Sequence, residues 1–187
     1  LEVPVFDEDR EFVSDFLAQN NISDKDLLIG LNPGAFRSSR CWFNERWAQL
    51  ADWLIEEYGS KVIITGGESE REMINEIVNS MKKKSAIIAT DFTLKQLAAL
   101  LEKLNLFITN DTGPMHIATA MQTPLIAIFG PGDVYRVPPY CQRDRAVILR
   151  KDVDCERPCY QFKCNDRKCM ELITTDDVIK AVKRTLT

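Results

Sequence analysis

The chain has 187 residues, 45% of them hydrophobic, with 24 Lys and Arg set against 28 Asp and Glu for a net charge of −4, and it has a single histidine. That size and balance suit one globular domain with a full core, and they exclude a global positive field that would gather nucleic acid or an anionic membrane. No apolar run approaches the roughly 20 residues that cross a bilayer, and the N-terminus lacks a signal-peptide pattern, so a cytoplasmic setting is expected.

The first predicted element is a charged helix from about Asp7 to Asn20. The chain opens on Leu1 rather than Met, which leads us to expect a piece of a longer protein. Short apolar runs then follow: "LLIGLNPG" (27–34), "KVIITGG" (61–67), "AIIAT" (86–90), "LFITND" (106–111) and "PLIAIFGP" (124–131). Continuous apolarity of this length fits strands buried on both faces of a parallel sheet. Between them lie stretches with helical spacing, with Trp47, Leu50 and Leu54 on one side of the first, Met73, Ile77 and Met81 on the second, and Leu94, Leu97, Leu101 and Leu104 on the third. A closing helix over about 174–186 carries Asp early and Lys and Arg late, matching its dipole.

Alternating β and α units joined by right-handed crossovers predict an α/β fold, a Rossmann-like parallel sheet with helices on both faces. The whole chain, 1–187, reads as a single domain: leading helix about 7–20, core about 26–151, cysteine-rich loop 152–170 and closing helix about 174–186.

Ligands of such sheets gather beyond the carboxyl ends of the strands. There "LFIT" delivers Asn110, Asp111 and Thr112, and Gly113-Pro114 opens the next helix, proline being tolerated in a first turn that needs no amide donor. Free amides and the positive end of the helix dipole suit a phosphate or diphosphate, and Gly113 lets it approach the backbone. Asp111 or Thr112 would otherwise serve only as a cap. A first-turn histidine exceeds what capping needs, so His116 is expected to donate to the same anion. Like charges keep Asp111 off a phosphate; it accepts from sugar hydroxyls or orients a neighbour.

"NDTGPMHIATAMQTPLIAIFGP" (110–131) resembles the D-T-G-P-x-H signature of glycosyltransferase family nine, the ADP-heptose:lipopolysaccharide heptosyltransferases. "GLNPGA", "SSRCWFNERWAQLADWL", "ITGGESERE", "DFTLKQLAALL" and the cysteine-dotted tail are similar to further segments of that family. The resemblance covers nearly the whole chain, yet only the second half of such an enzyme: the donor-binding, C-terminal domain of a two-domain GT-B fold.

It implies transfer of heptose from ADP-heptose to the lipopolysaccharide inner core with inversion. The acceptor would bind through an N-terminal domain that this chain lacks, so the fragment alone is expected to be inactive. Arg40 stands where the family carries lysine, and a guanidinium can fork onto two phosphate oxygens; Phe43 stands where it carries proline. Glu70 matches an acidic residue facing the donor, with Glu68 as a competitor. Phe92 and Leu94 fall beside the adenine in the family, although plain core would also explain them, and an aromatic there can stack on a base. In the loop 35–39, Ser38 and Ser39 offer hydroxyls to the diphosphate or are simply solvated.

Arg40, Asp111 and His116 are thus the expected catalytic residues. Ser38, Ser39, Arg40, Glu70, Phe92, Leu94, Asp111, Thr112, Gly113, Pro114 and His116 are the expected donor contacts. No cofactor and no metal are expected, nor any nucleic acid partner; attachment of the full-length enzyme to the inner face of the bacterial inner membrane is compatible with this reading. Cys155, Cys159, Cys164 and Cys169 are spaced C-x3-C-x4-C-x4-C, looser than usual zinc sites, and leave thiols, disulfides or a metal open. Other nucleotide-sugar enzymes of the GT-B fold, an epimerase among them, and a metal-stabilised binding module are the alternatives.

Overall fold

The computed structural model describes residues 2–140, 145–156, 158–159 and 164–186. Parts of the expected core (141–144) and of the expected cysteine-rich loop (157 and 160–163) lie outside the described residues, as do both chain ends.

Among the described residues six strands, β1 (Leu28–Asn32), β2 (Lys61–Thr65), β3 (Ile87–Ala89), β4 (Leu106–Asn110), β5 (Leu125–Ile128) and β6 (Ala146–Leu149), form one sheet in the order β3-β2-β1-β4-β5-β6. Every pairing is parallel. The helices are α1 (Asp7–Gln19), α2 (Asn44–Tyr58), α3 (Arg71–Ser80), α4 (Leu94–Lys103), α5 (Gly113–Ala120), α6 (Lys168–Glu171) and α7 (Thr175–Thr185).

Because successive strand side chains alternate in direction, the apolar runs feed two cores. Ile29, Leu31, Val62, Ile64, Leu106, Ile108, Ile126 and Ile128 pack with α2, α3 and α7. Leu28, Ile63, Phe107, Leu125 and Ala127 pack with α1, α4 and α5. Each central strand is buried throughout, which is why these runs show no polar alternation in the sequence.

Three local features differ from the expectation. The sixth strand, β6, is a half-exposed edge strand of four residues; in "RAVILRK" basic residues rather than glycine or proline bound it, so no turn signal marks it. The second helical stretch splits into a 3-10 turn, Glu68–Glu70, followed by α3, whose fully buried face carries Ile74 and Ile77 while Met73 is only half-buried. At the start of α4, Thr93 caps the helix by accepting from the Gln96 amide at 3.2 Å. That cap turns Leu94 outward to 69% exposure, while Leu97, Leu101 and Leu104 enter the core.

Strand order reverses between β1 and β4, with α2 following β1 on one face of the sheet and α5 following β4 on the other. Loops that leave neighbouring strands toward opposite faces open a crevice at their carboxyl ends. The loops carrying Arg40 and Asp111 are these two. Among the described residues no helix is long and apolar enough to cross a membrane.

The two ends of the Leu94–Leu101 face give a direct check on this packing. Leu101→Ala should cost about 2–5 kcal/mol by leaving a cavity in the second core, whereas Leu94→Ala should stay within about 0.5 kcal/mol. Urea unfolding of the two variants measures both values.

Candidate functional site

The crevice is built on a polar stitch across the carboxyl edge of the sheet. Asn110, fully buried at the end of β4, donates from Nδ2 to the Pro33 carbonyl at 2.6 Å and accepts at Oδ1 from the Trp42 amide at 3.2 Å. Asn32, at the end of β1, accepts from the Thr65 hydroxyl at 3.1 Å and donates to the Gly34 carbonyl at 3.4 Å. Buried amides with every partner provided are rigid, so both ends of the loop 33–42 are fixed relative to β4.

That fixation brings Arg40 to Asp111. Arg40 Nη1 lies 2.9 Å from Asp111 Oδ2, with the Arg40 side chain 26% exposed and Asp111 only 4% exposed. Behind the pair stands Gly132, where any β-carbon would collide with the Asp111 carboxylate; glycine is required there by close approach. Burial raises the Asp111 pKa above its ordinary 3.8, while Arg40 and, more weakly, His116 pull it down. Burial therefore outweighs attraction even at ion-pair distance, as expected where desolvation of a charge exceeds what its partner returns. Arg40 Nε is buried and has no hydrogen-bond partner among the described residues. A guanidinium with a spare buried donor is equipped for an anion.

The alternative role of Asp111 or Thr112 as a mere cap is not taken up. Thr112 is the N-cap residue of α5, yet its side chain makes no cap hydrogen bond, and Asp111 faces Arg40 instead. Pro114 has no amide hydrogen and the Met115 amide turns to the Thr112 carbonyl at 3.1 Å. Among the described residues the Gly113 amide keeps no acceptor, and Gly113 is exposed with open space around it. The His116 amide likewise shows no bond to the Thr112 carbonyl, so among the described residues the Gly113 and His116 amides are offered to a ligand, together with the positive end of the dipole.

Beside this lies a cleft of about 240 Å³ lined by Asn32, Thr65, Gly66, Gly67, Glu70, Ala89, Phe92, Leu94, Leu97, Thr112 and Pro114. Five expected contacts, Glu70, Phe92, Leu94, Thr112 and Pro114, meet there. Glu70 rather than Glu68 forms its wall: Glu70 accepts from the Gly67 amide at 2.8 Å, while Glu68 is spent on Arg71 at 2.8 Å. The Glu70 carboxylate lies so close to Gly34 that any side chain at 34 would displace it. Phe92 is half-buried, its ring edge-on to Phe12 at 5.1 Å and Phe16 at 4.9 Å, so it serves both core and cleft.

Not every expected residue reaches the cleft. Ser38 sits exposed in a 3-10 turn, Ser38–Arg40, and Ser39 is buried against a different cavity of about 30 Å³, shared with Pro131, Cys155, Cys159, Cys164, Cys169, Asp166 and Arg167. Cys155, Cys159, Cys164 and Cys169 thus surround one space. None of them is in a disulfide, and among the described residues no three His, Cys, Asp or Glu side chains are arranged to hold a metal ion. His116 is half-buried in the first turn of α5, near enough to Asp111 for its charge to act on the carboxyl. Asn32 and Gly132 were not singled out from the sequence, and Asn110 was placed at the sheet edge without a role; a buried Asn at a strand end, two residues before a glycine or beside an Asp, was the available signal.

A family model, glycosyltransferase family 9 (heptosyltransferase), matches residues 3–168. The chain belongs to glycosyltransferase family 9. It is 34% identical over 164 residues to lipooligosaccharide heptosyltransferase 2 of Campylobacter jejuni, covering 84% of this chain and 51% of that protein. Among solved structures, a family 9 glycosyl transferase from Veillonella parvula superposes with a TM-score of 0.87 at 30% identity, covering all of this chain and 53% of its own. The E. coli ADP-heptose LPS heptosyltransferase II superposes with a TM-score of 0.78 at 25% identity, covering 99% of this chain and 53% of that one. The family 9 chain therefore spans about half the length of the relatives it matches, and its Rossmann-like sheet corresponds to one half of a GT-B enzyme.

The raised Asp111 pKa makes a signed prediction. A carboxyl raised above its unfolded value lets the native state hold the extra proton, so the stability this contributes is complete below about pH 3.8 and is lost as pH rises through the folded pKa. Replacing Asp111 with Asn removes the titration. The stability of the wild type relative to Asp111→Asn should accordingly fall as pH is raised from 3.5 to 7 in urea unfolding; a rise would mean that the Arg40 pair dominates.

Proposed function

We propose that this family 9 chain is the donor-binding half of a heptosyltransferase that moves heptose from ADP-heptose to the lipopolysaccharide core with inversion. The observation that carries the reading is the Arg40–Asp111 pair beyond the end of β4, followed at once by the uncapped start of α5, whose Thr112 and Pro114 line the cleft with Glu70, Phe92 and Leu94. A diphosphate fits the pair and the helix start, and a nucleoside the cleft.

In the transfer, an acceptor hydroxyl oxygen bonds to the anomeric carbon from the face opposite the nucleotide. The bond from that carbon to the diphosphate oxygen breaks, and its electron pair leaves with ADP. Charge grows on the departing diphosphate, where Arg40, the α5 terminus and His116 stabilise it; donors fixed before the reaction supply this without reorganisation. Asp111 holds Arg40 in place rather than touching the anion. No metal is called for in this account, because the cationic groups are the protein's own.

The hydroxyl proton goes to a base on the half of the enzyme that this chain does not span, so the chain alone should bind the donor and transfer no sugar. The lipopolysaccharide acceptor would likewise bind that half. Work on a cytoplasmic nucleotide sugar fits a cytoplasmic placement.

Calorimetry with ADP, adenosine, UDP and CMP tests the reading. Arg40→Ala should weaken ADP about ten- to a hundredfold, the span of one or two charge-assisted hydrogen bonds, and leave adenosine unchanged. His116→Ala should weaken ADP while the melting temperature holds. ADP should bind more tightly than UDP or CMP; equal binding of the three would show that the phosphates alone are read.

A further inference from the structure

Asn110 fixes both ends of the loop that carries Arg40, but a second set of ties on the C-terminal side of Arg40 comes from the far end of the chain. The Arg167 guanidinium donates to the Cys41 carbonyl and lies over the Phe43 ring at 4.6 Å. Arg46 lies over the same ring at 4.8 Å and donates from Nη1 to the carbonyls of Met170 (3.3 Å), Glu171 (2.7 Å) and Ile173 (2.6 Å). Trp42 Nε1 donates to the Ile173 carbonyl at 2.8 Å, and its ring meets Trp47 edge-on at 5.2 Å. Three consecutive residues after Arg40 are thus tied to the segment 167–173.

These ties exceed what holding the tail requires. Ile173, Val178 and Val182 are already fully buried in the first core, and Met170 fills the space above Gly130. Arg46 already donates to the Met170 and Glu171 carbonyls that end α6, a role suited to a cation at a helix C-terminus. Arg167 serves neither purpose. Its Nη2 holds the peptide one residue beyond Arg40, its Nε is buried without a partner among the described residues, and its plane rests on an aromatic ring. Guanidinium on an aromatic face is worth about 0.5–2 kcal/mol, more as it is desolvated, and only a flat guanidinium can stack and donate at once.

We infer that Arg167, stacked on Phe43, is a positioning residue for Arg40: it fixes the Cys41 peptide so that the Arg40 side chain is held ready for the donor diphosphate. The inference rests on the reading that Arg40 binds that diphosphate. It assigns to the cysteine-containing tail a part in donor binding without contact to the donor.

The test is a double-mutant cycle on the 187-residue chain, read as ADP and adenosine affinity by calorimetry, with melting temperature as the fold control. Arg167→Lys, which keeps the charge and loses the flat donor, should weaken ADP about fivefold or more and leave adenosine alone. Phe43→Leu should do the same, and Phe43→Tyr, which restores a ring, should bind ADP as the wild type does. In the Arg40→Ala background Arg167→Lys should have no further effect.

Additive losses in the double variant, or equal losses for ADP and adenosine, would overturn the inference and leave Arg167 a structural residue. A wild-type ADP affinity in Arg167→Lys alongside a weakened Arg40→Ala would overturn it while sparing the reading of Arg40. An Arg40→Ala variant that binds ADP normally would overturn both.

Discussion

The site depends on the side chain of Asn110. It ends the central strand β4 with no access to water, and it spends both ends of its amide on the neighbouring loop, the Pro33 carbonyl on one side and the Trp42 amide on the other. A loop between β1 and α2 would otherwise be among the least constrained parts of such a fold. Here its two ends are set by hydrogen bonds to a strand, and Arg40 sits between them. The reversal of strand order makes the crevice; Asn110 determines what faces into it.

Within that frame the Arg40–Asp111 pair is costly. Burial pushes the Asp111 carboxyl toward its neutral form even with a guanidinium at 2.9 Å, and Gly132 leaves the carboxylate no side chain to lean on. Pairs of this kind contribute little to stability on balance; sites of binding and chemistry are where they recur. An anion arriving at Arg40 would find a cation already desolvated and oriented, so little is lost in arranging it. The cleft beside it shows the same economy: Glu70, Gly34 and Gly67 share one small contact set.

Much of this was legible in the sequence, and for identifiable reasons. Continuous apolar runs gave five of the six strands because central parallel strands are buried on both faces. The Asp-Thr-Gly-Pro-x-His crowding at 111–116 was visible because a glycine, a proline and the one histidine fall within a single helical turn of a strand end. The preference for Glu70 over Glu68 came from the family resemblance, and its physical reason is visible only in three dimensions, where Arg71 takes Glu68. β6 escaped because an edge strand of four residues bounded by arginines lacks both length and turn residues. The Arg46–Phe43–Arg167 contacts were not legible at all: Arg46 and the Ile173 carbonyl it meets are 127 residues apart, and nothing local in either segment points to the other. Phe43 looked like a departure from its family's pattern, and its ring carries two guanidiniums.

The central claim is that donor binding in this half of a family 9 glycosyltransferase is organised at the β1–β4 crevice. A crystal structure of the chain with ADP tests it most directly. The account predicts the diphosphate between the Arg40 guanidinium and the Gly113 amide, with the nucleoside in the cleft bounded by Glu70, Phe92 and Leu94. Nucleotide bound elsewhere on the sheet edge, with the Arg40–Asp111 pair and the Gly113 amide untouched, would contradict it.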